Sequence, residues 1–263
     1  MARQAAAVAL FAAICASALP ADSLGSEAWK EGVRLYRAEE YQQAQEAFRK
    51  ALGQDPGNSE YARWLGVTVG RRAERMTGIR RVGALSLAKQ VKSHFERAVD
   101  LDGTNLEALE ALQGFHLRAP GIVGGSKDEA KRLAGVMEGL DSARGAAAWA
   151  AYHEELRDYG HAEEQHLWAR NVAPEEIDFL VGHAAFLSRR GRHEESDRLF
   201  EDALRRAPES PGVWVAAGAA WIKAKRKPLY ARAKRLLERY LSAPELEPKW
   251  DPPFIVRRLL NRI

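Results

Sequence analysis

Residues 28–56, AWKEGVRLYRAEEYQQAQEAFRKALGQDP, decide how this 263-residue chain folds. Small, aromatic and proline residues stand there at fixed spacings: Gly32, Leu35, Tyr41, Ala44, Phe48, Ala51 and Pro56. The same spacing starts again around Ala150, and once more 34 residues later around Ala184. A further 34 residues lead to Gly218 and Trp221. A recurring spacing of this length predicts copies of one structural unit rather than a single globular core.

Each copy is predicted to be a pair of antiparallel helices. Small residues such as Gly32 let the two backbones approach closely, while large residues such as Phe48 fill the space around them. Pro56 ends the second helix. One pair cannot bury its apolar face alone, so copies stack and share a continuous core. This 34-residue pattern of small, aromatic and proline positions resembles the tetratricopeptide repeat family.

The resemblance implies an all-α solenoid of about five helix pairs with a C-terminal capping helix. The expected boundaries of the repeated units are 27–58, 59–104, 105–142, 143–176, 177–210 and 211–243, followed by a linker and the capping helix at 244–263. The second unit holds about 13 extra residues within 70–86, and the third has a Pro- and Gly-rich turn at 118–130. These two features are also similar to bacterial exported repeat proteins, including some that accompany solute transporters.

Residues 1–21 are typical of an export signal. Arg3 supplies the positive start, residues 5–19 are an uncharged apolar run, and Ala16-Ser17-Ala18 forms a cleavage site of small residues. Cleavage after Ala18 and cleavage after Ala21 both fit this pattern. The alternative is an uncleaved membrane anchor, although the run is short for a bilayer core of about 30 Å. Lipid attachment at Cys15 fits less well, because Ile14 precedes it. The sequence therefore predicts an exported protein, periplasmic or secreted.

Composition places few limits on function. The chain is 46% hydrophobic and 29% charged, which is ordinary for a globular protein, and its formal net charge of +4 is too small to indicate a nucleic-acid binder. Cys15 is the only cysteine, so removal of the signal would leave no thiol for disulfides or catalysis. After that removal no segment is apolar enough to span a membrane.

No motif in the sequence indicates an enzyme, a metal site or a cofactor. Gly121, Gly124 and Gly125 lack the order of a phosphate-binding loop, and Ser126 with Glu129 instead predicts a capped helix start. His161 and His166 are five residues apart, which does not align them on one helical face. The histidines are interpreted as packing residues, and adjacent glutamates as solvated faces.

Two basic clusters stand in the irregular segments. One comprises Arg71, Arg72, Arg75, Arg80 and Arg81, and the other Lys223, Lys225, Arg226 and Lys227. The simpler interpretation is a solvated loop that aids solubility. The alternative for the arginine cluster is contact with an anionic partner, such as an acidic protein face or lipid headgroups.

The family resemblance implies that the first helix of each pair lines a concave groove. The outward positions there are mostly small and apolar: Trp29, Val33, Tyr36, Ala147, Ala151, Glu154, Val181, Ala185, Ser188, Val215, Ala219 and Ile222. The Lys and Asn set by which some family members clamp a peptide carboxylate is absent. An apolar groove suits an amphipathic helix, an extended segment or a hydrophobic small molecule. Alternatively, the chain's own insertion or C-terminal helix fills it.

The sequence thus favours a non-catalytic scaffold or assembly factor of the cell envelope that binds another protein and no nucleic acid. The alternative is a periplasmic binding protein that encloses a hydrophobic ligand and is associated with a transporter. Self-association also stays open, because an exposed terminal repeat can stack on a second copy.

Overall fold

The computed structural model describes residues 22–76, 81–243 and 253–263, so the predicted export signal and the predicted linker at 244–252 lie outside the described residues. Within these ranges the chain is helical and contains no β-strand. The helices are α1 (Asp22–Arg37), α2 (Tyr41–Gln54), α3 (Ser59–Glu74), α4 (Arg81–Leu101), α5 (Leu106–Arg118), α6 (Lys127–Leu140), α7 (Ser142–Glu155), α8 (Tyr159–Val172), α9 (Ile177–Arg189), α10 (His193–Arg206), α11 (Pro211–Lys223), α12 (Tyr230–Leu241) and α13 (Pro253–Leu260).

The first twelve helices pack as six consecutive pairs, and each pair stacks on the next. The predicted all-α solenoid is therefore confirmed for the described part of the chain. Six pairs form rather than about five, because the longer units at 59–104 and 105–142 each make a complete pair. Helix α13 follows as an additional element and packs on α11 and α12.

The small residues allow the close helix contacts that their spacing predicts. A Cβ atom on Gly32 would lie 2.6 Å from the ring of Phe48, so only glycine fits at this point of the α1–α2 contact. Ala44 and Ala51 of α2 are fully buried beside that ring. The backbones of α1 and α2 can therefore approach closely while Phe48 fills the space between them.

Polar side chains cap the N-termini of several helices. Asn58, Asn105, Asp141 and Ser210 each accept a hydrogen bond from a backbone N–H in the first turn of α3, α5, α7 and α11. The predicted N-cap at Ser126 is confirmed, since its hydroxyl accepts from the backbone of Glu129. The Glu129 carboxylate pairs with an arginine in the next turn instead of completing a capping box.

The extra residues of the second unit lengthen its helices. Helix α4 has 21 residues, compared with 14 in α2, and Leu87 in its added N-terminal turns is buried. Val123, from a 3-10 turn at Gly121–Val123, belongs to the same buried cluster. The Pro- and Gly-rich turn of the third unit therefore packs against the extended helix of the second. No helix in the described ranges has the length and apolar character that crossing a membrane requires.

Candidate functional site

The predicted concave positions of the fourth and fifth helix pairs are accessible. Ala147 and Ala151 of α7 and Val181, Ala185 and Ser188 of α9 are all partly exposed. Four of these five side chains are apolar, and four are alanine or serine. Small side chains on two neighbouring first helices leave room for another chain to lie close to the backbone.

Glu154 is held at the edge of this small-residue surface by two neighbouring helices. Its carboxylate accepts a hydrogen bond from His166 Nε2 of α8 at 3.1 Å and forms a bidentate pair with Arg189 of α9, with distances of 2.8 to 3.1 Å. Burial alone would raise the pKa of Glu154, but the hydrogen bond from His166 and the charge of Arg189 hold that pKa below its usual value. Glu154 is therefore ionised, and its ion pair with Arg189 connects the fourth helix pair to the fifth.

Aromatic side chains cover the predicted groove positions of the first pair. Val33 and Tyr36 are buried and Trp29 is partly buried. Trp64 of α3 lies across this part of the face, with its ring centroid 5.3 Å from that of Tyr36 and 6.4 Å from that of Trp29. These positions of the predicted groove thus contribute to the contact between the first and second pairs.

The sixth pair is covered by the C-terminal helix. Val215, Ala219 and Ile222 of α11 are each no more than 4% exposed. Val256 and Leu259 of α13 are buried in the same apolar cluster. The chain's own last helix therefore occupies this end of the predicted groove, which is one of the alternatives that the sequence left open.

Helix α13 also reaches the first pair. Arg257 forms an ion pair of 2.7 Å with Glu39, which lies in the turn between α1 and α2 and is only 11% exposed. Phe254 packs against the apolar cluster of the first pair, and the Arg75 guanidinium lies 5.5 Å from its ring centroid. The last helix thus joins the two ends of the solenoid, and we call this contact the closure.

Three arginines of the cluster form hydrogen bonds with other residues of the protein. Arg71 donates to the Tyr36 hydroxyl at 3.2 Å and to Glu74 at 2.8 Å, and Arg72 donates to Gln45. Arg75 donates to the Glu39 backbone carbonyl at 3.0 Å and takes part in the closure. Arg80 lies outside the described residues, and nothing is described of the Arg81 side chain beyond its place at the start of α4. Contact of this cluster with an anionic partner stays a prediction.

Comparison with known proteins identifies the architecture. No protein-family model matches the sequence, and no curated protein is significantly similar to it. Solved structures do match: a thermophilic tetratricopeptide protein of Thermus thermophilus has a TM-score of 0.54 and 18% identity, and the match covers 75% of this chain and 99% of that one. The chain has the tetratricopeptide-repeat fold.

Two further tetratricopeptide-type matches extend over more of the chain. A tetratricopeptide repeat protein of Parabacteroides merdae has a TM-score of 0.51 and 12% identity, covering 90% of this chain and 98% of its own. PilF of Pseudomonas aeruginosa has a TM-score of 0.50 and 13% identity, covering 84% of this chain and 93% of its own. At such identities the likeness establishes the tetratricopeptide fold and nothing about partners.

Sequence reasoning predicted concave positions for a tetratricopeptide solenoid, which stay a prediction, and it missed the closure. The repeat spacing identifies which residues of a first helix point to the concave face, and it says nothing about what packs on them. Contact between Glu39 and Arg257 joins the two ends of the chain, so no local pattern signals it. The amphipathic pattern of Phe254, Ile255, Leu259 and Leu260 indicates only that this helix has an apolar face to bury.

Proposed function

We propose that this protein is a non-catalytic scaffold that holds a segment of another protein against the concave face of its fourth and fifth helix pairs. One observation carries the proposal. The small-residue surface on α7 and α9 is partly exposed, whereas the protein itself buries the same positions of the first and sixth pairs, with Trp29 only partly buried. This surface is the part of the predicted groove that is free to bind.

The chemistry of the surface favours an apolar segment with one charged or polar edge. Ala147, Ala151 and Ala185 admit close approach of a helix or an extended chain, and burial of its apolar side chains would provide most of the binding free energy. Glu154 and Arg189 lie at the edge, already paired with each other. A partner therefore need not supply a charge in order to bind.

A small-ligand carrier fits these observations less well. An apolar ligand needs an enclosed, apolar cavity. A cleft of about 590 Å³ lies between α2 and the end of α3, but charged and amide side chains line most of it, among them Glu39, Glu46, Arg72 and Arg75. It is open to solvent and does not suit a hydrophobic molecule.

The proposal places the protein in the cell envelope, as a periplasmic or secreted component. Support comes from the sequence alone, namely the positive start at Arg3, the apolar run and the small residues at 16–18. The intact mass of the protein recovered from its own cells tests this part. A chain that begins after Ala18 or Ala21 is expected, and a full-length chain in the cytoplasmic fraction would contradict it.

The binding surface can be tested by site-specific photo-crosslinking in the protein's own cells. A photoreactive phenylalanine derivative at Ala151 is expected to give one protein adduct of defined mass. The same group at Asn171, which is exposed on the second helix α8, serves as the matched control and should give no such adduct. Ala151→Arg, which places a bulky charge on the surface, should reduce co-purification of that partner at least tenfold without changing helix content.

A second crosslinking position, Ala185, shows whether a negative result at Ala151 is caused only by a local disturbance of the structure. If both positions fail to give an adduct, or if Asn171 gives the same adduct, the proposed surface is wrong. A small molecule released on denaturation, with no protein partner, would instead support the ligand-carrier alternative.

A further inference from the structure

Two imidazoles and one carboxylate meet in the turn between α7 and α8. The Nδ1 atom of His153 lies 3.3 Å from Asp158 Oδ2, and the Nδ1 atom of His161 lies 2.7 Å from the same oxygen. One donor atom from each of the three residues falls within 4.8 Å of the other two. The two imidazole rings are stacked, with centroids 5.2 Å apart. We call these three residues the His-Asp-His cluster.

The carboxylate of Asp158 is oriented by the backbone around it. Its Oδ1 atom faces the backbone N–H of His161 and caps α8, which directs Oδ2 toward the two imidazoles. The backbone N–H of Asp158 donates to the carbonyl of His153 at 2.9 Å, so the turn that brings these residues together is itself hydrogen bonded. The cluster therefore stands on a fixed turn between two packed helices.

His153 supplies an observation that the fold does not explain. Its Nδ1 atom is buried but makes no hydrogen bond of acceptable geometry, although it lies close to Asp158. A buried imidazole nitrogen without a partner costs free energy. A metal ion between the two residues would satisfy this nitrogen.

The other repeats show that the solenoid does not require this cluster. The equivalent positions are Leu35, Glu40 and Gln43 in the first pair, and Leu187, Arg192 and Glu195 in the fifth. Both of those pairs form the same kind of turn. Neither of these pairs has the two histidines and the aspartate of the fourth pair.

The distances suit a small divalent ion. Zinc binds imidazole nitrogen and carboxylate oxygen at about 2.0–2.2 Å, so two ligands of a tetrahedral site lie roughly 3.4 Å apart. The separation of 3.3 Å between His153 and Asp158 already matches this value. His161 lies 2.7 Å from the same oxygen and would have to move outward by about 0.7 Å to reach that separation, which its 63% exposed side chain permits.

We infer that the His-Asp-His cluster is a binding site for a divalent transition-metal ion, with Zn²⁺ as the best match. His153, His161 and Asp158 are the three protein ligands, and the remaining position is open to water or to a donor from another molecule. The inference is independent of the proposed partner surface, because it concerns the turn rather than the concave face.

Calorimetric titration of the metal-free protein, residues 22–263, with ZnCl₂ at pH 7.5 tests the site. One equivalent is expected to bind with a dissociation constant in the micromolar range or below. Asp158→Asn removes the charged ligand but keeps a good helix cap, and His153→Leu and His161→Gln introduce the residues that the first pair has at these positions. Each of the three is expected to weaken binding at least tenfold.

His193→Tyr provides the matched control, since Tyr41 and Tyr159 stand at the equivalent position in other pairs and this change removes a histidine outside the cluster. It should leave the affinity unchanged. Thermal unfolding gives a second measurement, because Zn²⁺ should raise the melting temperature of the wild-type protein and not that of Asp158→Asn. The inference is wrong if no stoichiometric binding occurs, or if Asp158→Asn and His193→Tyr behave alike.

Discussion

Two histidines between the fourth and fifth pairs show how burial fixes a protonation state. The rings of His166 and His183 stack with centroids 5.6 Å apart and an angle of 5° between their planes. Arg170 lies 2.9 Å from the Nδ1 atom of His183. Since a guanidinium can only donate, this nitrogen must accept, and the His183 proton must sit on Nε2. His183 is therefore neutral in the folded protein.

Protonation of His183 is expected to oppose folding. Burial, together with the charges of His166 and Arg170, lowers the pKa of His183 from 6.5 to about 4. Between pH 6.5 and about pH 4 the unfolded chain carries a proton on His183 that the folded chain does not. The free energy of unfolding therefore decreases as the pH is lowered through this range. The slope approaches about 1.4 kcal/mol per pH unit for this one group.

Urea unfolding at pH 7.5 and pH 5.0 measures this effect. In His183→Gln, which cannot be protonated, the loss of unfolding free energy on acidification should be smaller than in the wild-type protein. Other groups titrate in both proteins, so the informative quantity is the difference between them. An equal loss in both would mean that His183 does not control the acid sensitivity.

At the scale of helices, the α6–α7 crossing depends on a single glycine. Only Asp141 separates the two helices, so they turn back on each other sharply. A Cβ atom on Gly145 would lie 2.2 Å from the Cα atom of Glu138, which is backbone and cannot rotate away. Any larger side chain must push α6 and α7 apart.

Gly145→Ala is therefore expected to destabilise the protein, because overpacking against backbone costs about 1–3 kcal/mol before any gain in helix propensity. Alanine favours a helix over glycine by only about 1 kcal/mol, so the clash should dominate. Gly135→Ala in α6 is the matched control, because no atom lies within 4 Å of its new Cβ, and it should stabilise slightly. Denaturant unfolding measures both. A Gly145→Ala protein as stable as Gly135→Ala would contradict the proposed contact.

The sequence predicts helix pairs best where the repeat spacing is regular. The close approach at Gly32 and the N-cap at Ser126 follow from side-chain size and hydrogen bonding within a few residues. The lengths of α3 and α4 do not, because the extra residues at 70–86 interrupt the spacing. The sequence also does not predict which concave positions are exposed. Val181 and Val215 have the same place in their repeats, but only Val215 is buried, in the apolar cluster to which α13 contributes.

On the scale of the whole molecule, the closure couples the first pair to the last. Glu39 is almost buried, and its partner Arg257 neutralises it. Arg257→Glu places two carboxylates side by side and should detach α13 from the first pair. Hydrogen exchange of the amides at the start of α2 is expected to become at least tenfold faster, while exchange in α7 and α8 stays unchanged.

A reciprocal charge exchange checks that the ion pair causes the effect. The double variant Glu39→Lys with Arg257→Glu should restore slow exchange, at least in part. Lysine is acceptable at residue 39, since Lys225 holds the same left-handed backbone conformation at the equivalent position of the sixth pair. If the single variant exchanges like the wild-type protein, the closure does not stabilise the first pair.

The closure also determines when the protein can finish folding. Linear repeat arrays can acquire structure progressively from the N-terminus during synthesis, since each repeat needs only its neighbours. Here the first turn, at Glu39, can form its ion pair only after Arg257 of α13 has been synthesised. Joining such distant parts of the chain is entropically costly and slow. The nascent protein therefore remains incompletely folded, and open to helper proteins, until α13 has left the ribosome.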